Sequence, residues 1–117
     1  MSHRYEIVTV KYGTRTSRRS DVFLNNAIYG GADESIDMDY FFGVARNHER
    51  TVVIDTGFSP TGGASRGRTM LIEPLRAFKA LGVEPSAATT LIATHAHYDH
   101  IGNIEHFLGS EIVVAAA

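Results

Sequence analysis

The segment His95-Ala96-His97-Tyr98-Asp99-His100 sets four candidate ligands, three imidazoles and one carboxylate, within six residues. It directly follows Thr89 to Ala93, a short run that reads as a buried strand, and directly precedes Ile101, Ile104, Phe107 and Leu108, apolar positions at helical spacing. A chain with this junction must bring a strand end, a turn and a helix start to one point, where layered α/β proteins place their binding groups. If strand geometry persists past Ala93, residues 95 and 97 point the same way and two imidazoles converge on one ion, while Asp99 and His100 face a second. A single histidine is more often a solvated loop group than a ligand, but four candidates in this arrangement reverse that weighting. The chain contains no cysteine, so any metal must be held by His, Asp or Glu.

The rest of the chain predicts a layered α/β fold. Tyr5, Ile7 and Thr9 alternate with Glu6, Val8 and Val10 in an opening strand that ends at Tyr12-Gly13. Thr14 to Asp21, with Arg15, Arg18 and Arg19 among hydroxyl residues, and the Gly-led acidic stretch Gly30 to Asp37 read as exposed loops around a short apolar piece, Val22 to Leu24. Asp39 to Ala45 and Thr51 to Ile54 flank the polar turn Arg46 to Arg50 and predict a β-hairpin. Ser59 to Gly67, rich in Pro and Gly, reads as a loop. Leu71, Leu75, Phe78 and Leu81 share a helical face, which predicts a helix from about Ile72 to Leu81 with Gly82 as its cap. Ile112 to Val114 reads as a last buried strand before a run of alanines.

A formal net charge of −2 gives no electrostatic reason to expect nucleic acid or an anionic membrane as partner. Met1 to Lys11 has no continuous apolar stretch of the signal-peptide type, and no later run is long enough to span a bilayer, so a soluble, cytoplasmic protein is the expectation. His106 reads as a surface residue, and His3 and His48 are too isolated to suggest a role.

Thr94 to His100 matches the His-x-His-x-Asp-His signature of the metallo-β-lactamase superfamily, and Ile101-Gly102-Asn103 continues as in many of its members. Upstream, Tyr12-Gly13-Thr14, Arg18-Arg19-Ser20-Asp21, Asp39-Tyr40-Phe41-Phe42 and Asp55-Thr56-Gly57-Phe58 resemble, in order, the N-acyl homoserine lactonase-like branch. The resemblance implies two zinc ions per complete site, with His95 and His97 serving the first and Asp99 and His100 the second. His97 stands where flavo-diiron relatives have glutamate, which favours a zinc hydrolase. The implied reaction is the opening of a lactone ring, foremost that of N-acyl homoserine lactones in quorum quenching, by a metal-bound hydroxide, with Asp99 as the catalytic proton acceptor. Other hydrolases of the superfamily, such as thioesterases, other lactonases and phosphodiesterases, are the alternative, as is a non-catalytic metal- or partner-binding fragment. Asp55 is either a carboxylate that orients a histidine from behind or a turn residue capping Gly57. Phe41, Phe42 and Phe58 are candidates for an acyl groove, with core packing the stronger expectation for the first two.

The superfamily completes its sites with later residues: a third histidine for each metal, a bridging aspartate and, in lactonases, a catalytic tyrosine. None of these follows in this sequence. Residues 1–117 are therefore expected to form the N-terminal part of a single, truncated domain, inactive alone, whose sheet shows an uncovered apolar face. The assembly is left open, a homodimer included.

Overall fold

Two long segments rich in β-branched and hydroxyl residues organise the chain, because they pair with each other along almost their whole length. In the computed structural model, which describes residues 4–29 and 31–116, these are β1 (Glu6–Arg18) and β2 (Ser35–Arg46). Their antiparallel register runs from Glu6 opposite Arg46 to Arg18 opposite Ser35. His3, Gly30 and Ala117 lie outside the described residues. Two short helices, α1 (Arg19–Val22) and α2 (Asn26–Tyr29), fill the hairpin end. After β2 come β3 (Thr51–Ile54), α3 (Pro60–Ser65), β4 (Thr69–Met70), α4 (Pro74–Ala80), β5 (Thr89–Ala93), α5 (Tyr98–Ile101), a 3₁₀ turn (Ile104–Phe107) and β6 (Glu111–Val114).

The strands form one sheet in the order β4-β1-β2-β3-β5-β6. β3, β5 and β6 run parallel, and the remaining pairs are antiparallel. The helices lie against one face of this mixed sheet, as the α/β expectation requires. There Tyr12, Phe42, Val44, Val53 and Leu91 from the strands meet Phe58, Ala77, Phe78, Val83 and Phe107. Phe78 sits at the centre, with its ring 4.4 Å from Phe42 and 5.5 Å from Phe107. The other face follows from the same register. Ile7 stands opposite Ala45, Ile54 opposite Ile92 and Ile92 opposite Val113, and on this side Ile7 remains 65% and Phe41 49% exposed. Among the described residues no helix is long and apolar enough to cross a membrane.

Several local expectations need correction. Thr14 to Asp21 is not a loop, because β1 continues to Arg18 and β2 already begins at Ser35, within the acidic stretch. Cross-strand polar pairs replace apolar alternation there: the Thr14 hydroxyl donates to Asp39 at 2.8 Å and Thr16 to Asp37 at 2.7 Å. A bulge between Lys11 and Gly13 also shifts the register, and so changes which residues face the helices. The Pro- and Gly-rich segment after Phe58 contains α3, because Ser59 caps it by accepting the Gly62 N–H and Pro60 fits the first turn. α4 starts later than expected because Pro74 sets its first turn, and Gly82 ends it with φ +72°. The helix expected from His100 to Leu108 is split, with α5 starting inside the histidine motif and a 3₁₀ turn beyond Gly102-Asn103.

Phe78→Ala should lower the unfolding free energy by about 3–5 kcal/mol, because it removes a buried ring from between two others. Urea denaturation checks this, and a loss under 1 kcal/mol would mean that the aromatic cluster is not the centre of the core.

Candidate metal centre

The parallel register of β3 and β5, with Ile54 beside Ile92, brings the ends of both strands to the same edge. Asp55, the first residue past β3, takes a left-handed φ of +64°, a strained conformation for a side-chain-bearing residue. Its N–H stays bonded to the Ile92 carbonyl at 2.9 Å. Its carboxylate is 8% exposed and collects three groups of the motif: the Thr94 N–H at 2.8 Å, the Thr94 hydroxyl at 2.8 Å and His100 Nδ1 at 2.7 Å. The buried charge is thus supplied with donors.

This contact fixes the chemistry of His100. With a carboxylate as acceptor, Nδ1 carries the proton, and in the neutral ring Nε2 keeps a lone pair. That Nε2 lies 3.3 Å from an Asp99 carboxylate oxygen. Two acceptors at this separation require a proton or a cation between them. The His95 ring is 3.8 Å from that of His100 and 4.5 Å from that of His97, and His95 Nδ1 lies 3.1 Å from the Thr94 hydroxyl. Three imidazoles and a carboxylate are a donor set that suits zinc, and the unshared Asp99–His100 acceptor pair fits a cation. Among the described residues, however, no three of these side chains close into a formed coordination shell.

A second set of contacts, not foreseen from the sequence, locks the motif to the loop after β3. The Thr56 N–H donates to the His100 carbonyl at 2.8 Å. The Asn103 side-chain amide donates to the carbonyls of Thr56 at 2.9 Å and Phe58 at 3.2 Å. Tyr12, fully buried in β1, accepts the Phe58 N–H at 3.1 Å and donates to the Asp99 carbonyl at 2.9 Å. Gly102 packs so closely that a Cβ there would lie 2.6 Å from the Gly57 carbonyl oxygen and the Ser59 nitrogen. The glycine in Ile101-Gly102-Asn103 was the only sequence signal of this contact. Of the aromatic candidates, Phe42 and Phe58 are buried, whereas Phe41 is exposed on the opposite face and is not core. His95 instead borders an apolar cleft of about 370 Å³ with Ala93, Ala96, Ile101, Ile104 and Val114. His106 and His48 are exposed, beside Glu105 and Glu49 respectively.

Burial raises the Tyr12 phenol well above its ordinary range. Burial, together with the hydrogen bond to Tyr98, pushes Tyr40 up to about 12. Both groups therefore stay neutral donors over the working pH range.

A family model described as the metallo-beta-lactamase superfamily matches residues 40–117. No curated protein sequence matches the chain significantly. Among solved structures, a quorum-quenching N-acyl homoserine lactone lactonase is 20% identical with a TM-score of 0.74, over 96% of this chain and 45% of its own. An N-acyl homoserine lactone hydrolase with the product N-hexanoyl-L-homoserine at its catalytic metal centre is 18% identical with a TM-score of 0.71, over 96% and 48%. A dizinc quorum-quenching lactonase is 22% identical with a TM-score of 0.63, over 92% and 40%. At these identities the likeness is one of fold, and the chain spans about half the length of these structures.

Tyr12→Phe keeps the ring and strands the Phe58 N–H and the Asp99 carbonyl, so it should cost about 1–3 kcal/mol of stability in urea titration. The raised phenols set an alkaline limit. Their contribution is intact below the ordinary tyrosine pKa and declines as pH rises through about 10 toward the folded-state value. Tyr40→Phe should flatten this decline between about pH 10 and 12, which thermal melts across that range would read.

Proposed function

The chain belongs to the metallo-β-lactamase superfamily, and from that membership we propose that it is the metal-binding half of a hydrolase that opens lactones, N-acyl homoserine lactones foremost. The observation that carries this reading is the line Asp55–His100–Asp99, with contacts of 2.7 and 3.3 Å. A carboxylate behind a histidine fixes its tautomer and raises its basicity as a ligand. The likeness to three lactone-hydrolysing structures supports the substrate class.

In this reading His95 and His97 hold one zinc ion and Asp99 and His100 a second, with the remaining ligands supplied by further chain. Zinc held there would supply Lewis acidity, activating a water at neutral pH and polarising an ester carbonyl. Asp99 takes the proton of the attacking water as its oxygen bonds to the lactone carbonyl carbon. The ring C–O bond then breaks, and the proton passes to the departing alkoxide, leaving an open-chain hydroxy acid. Asp55 stays out of the proton transfer and keeps His100 in place. The cleft beside His95 suits an apolar part of the substrate, a role that buried Phe42 and Phe58 cannot fill.

The test is zinc content and lactone turnover of the full-length protein, in native form and as His97→Ala, Asp99→Asn and Asp55→Asn. About two zinc ions per chain are expected in the native protein. Asp55→Asn should weaken metal binding about 10–100-fold in chelator competition, and Asp99→Asn should lower kcat by about 10²–10⁴. Zinc retention by His97→Ala would refute the ligand assignment. Cleavage of thioesters or phosphodiesters with all lactones left intact would move the protein to another activity of the superfamily.

A further inference from the structure

Beside the histidine motif lies a group of cations that the hydrolytic reading does not use. Past the bulge of β1, Arg15 is directed to the helix-covered side, opposite Met38. The pairing of Thr14 with Thr69 brings Arg68 to the adjacent position. Arg68 Nε donates to the Tyr98 hydroxyl at 2.9 Å, and the Arg66 guanidinium lies 3.9 Å over the Tyr98 ring. Tyr98 stands between His97 and Asp99. Arg15 donates to Met38 Sδ at 3.2 Å, while its Nε is buried without any acceptor.

Among the described residues none of these three arginines pairs with a carboxylate. The nearby acids point elsewhere: Asp37 bonds Thr16, and Asp39 bonds Thr14 and Lys11. Arg18, by contrast, is exposed and neutralised by Asp33 at 3.0 Å. Like charges on adjacent strands repel, and a buried N–H without an acceptor is costly. An oxyanion would relieve the repulsion, since guanidinium forks match carboxylate and phosphate oxygens.

We propose that Arg15, Arg66 and Arg68, with the Tyr98 hydroxyl, form a recognition site for an oxyanion, a carboxylate or a phosphate, carried by the substrate of the adjacent histidine centre. Within the proposed lactone class the substrate is then one whose acyl part carries an anionic group, as an N-acyl homoserine lactone with a carboxylated acyl chain does and one with a plain alkanoyl chain does not. The link to catalysis rests on the hydrolase reading, whereas the anion site stands on its own contacts.

Calorimetric titration of the full-length protein with glutarate and with inorganic phosphate reads the site without any turnover. Binding is expected in the native protein and in the control Arg18→Met. It should weaken about tenfold or more in Arg68→Met, and less in Arg68→Lys, which keeps the charge and loses the fork. The tighter of the two anions identifies the group recognised. An anion held by the histidine centre alone would bind the arginine variants as well as the native protein. That result, or no binding of either anion, overturns the proposal, provided that circular dichroism shows one of the two Arg68 variants folded. A lactone ending in a carboxylate should then be opened with higher kcat/KM than its methyl ester, through KM, and Arg68→Met should erase the difference. If the anions bind but no lactone is opened, the lactonase reading fails and the anion site stands.

Discussion

The geometry of the histidine motif depends on a seam of hydrogen bonds between two chain exits, the one after β3 and the one after β5. Parallel pairing brings both exits to one edge, but pairing alone does not orient side chains beyond the strands. The Asp55 carboxylate does that, taking Thr94 and His100 at 2.7–2.8 Å from a backbone position with φ +64°. Such strain persists only where the surroundings over-determine it. Here the Thr56 and Asn103 contacts, the close fit of Gly102 and the Tyr12 hydroxyl supply that support.

Much of this was legible in the sequence, for a physical reason. β5 and the hairpin turn were readable because apolar runs bounded by polar residues report burial directly, and the motif because its ligand density has no structural purpose of its own. β1 beyond Gly13 was not readable, since threonines paired with aspartates carry no apolar period. Helix α3 was concealed by glycines that composition alone marks as breakers, while its start depends on one serine cap. Tyr12 illustrates a further limit: its partners lie 46 and 87 residues away, and no local pattern encodes a contact over such distances. The role of Asp55 was open between two readings because both need a carboxylate at the same turn, and no local pattern encodes its 2.7 Å contact with His100, 45 residues on.

The two faces of the sheet divide the work. One carries the aromatic cluster that supports the loops beneath the motif. The other shows Ile7, Phe41, Ile92 and Val113 to the surroundings, an apolar surface of the kind that protein interfaces cover. The hydrolytic reading places the additional ligands in further chain, so cover for this face and completion of the donor set would come from the same source.

The bulge between Lys11 and Gly13 couples the hairpin to the histidine motif. Side chains alternate with a period of two, so one inserted residue exchanges the two sides for everything beyond it. The extra residue is Tyr12, so it and Gly13 both turn to the helix-covered side, and Arg15 follows there opposite Met38. The same Tyr12 carries the hydroxyl that joins Phe58 to Asp99. One inserted residue thus ties the strand to the reactive loop and turns an arginine toward it, so that a change at this position disturbs the chemistry and the choice of molecule together.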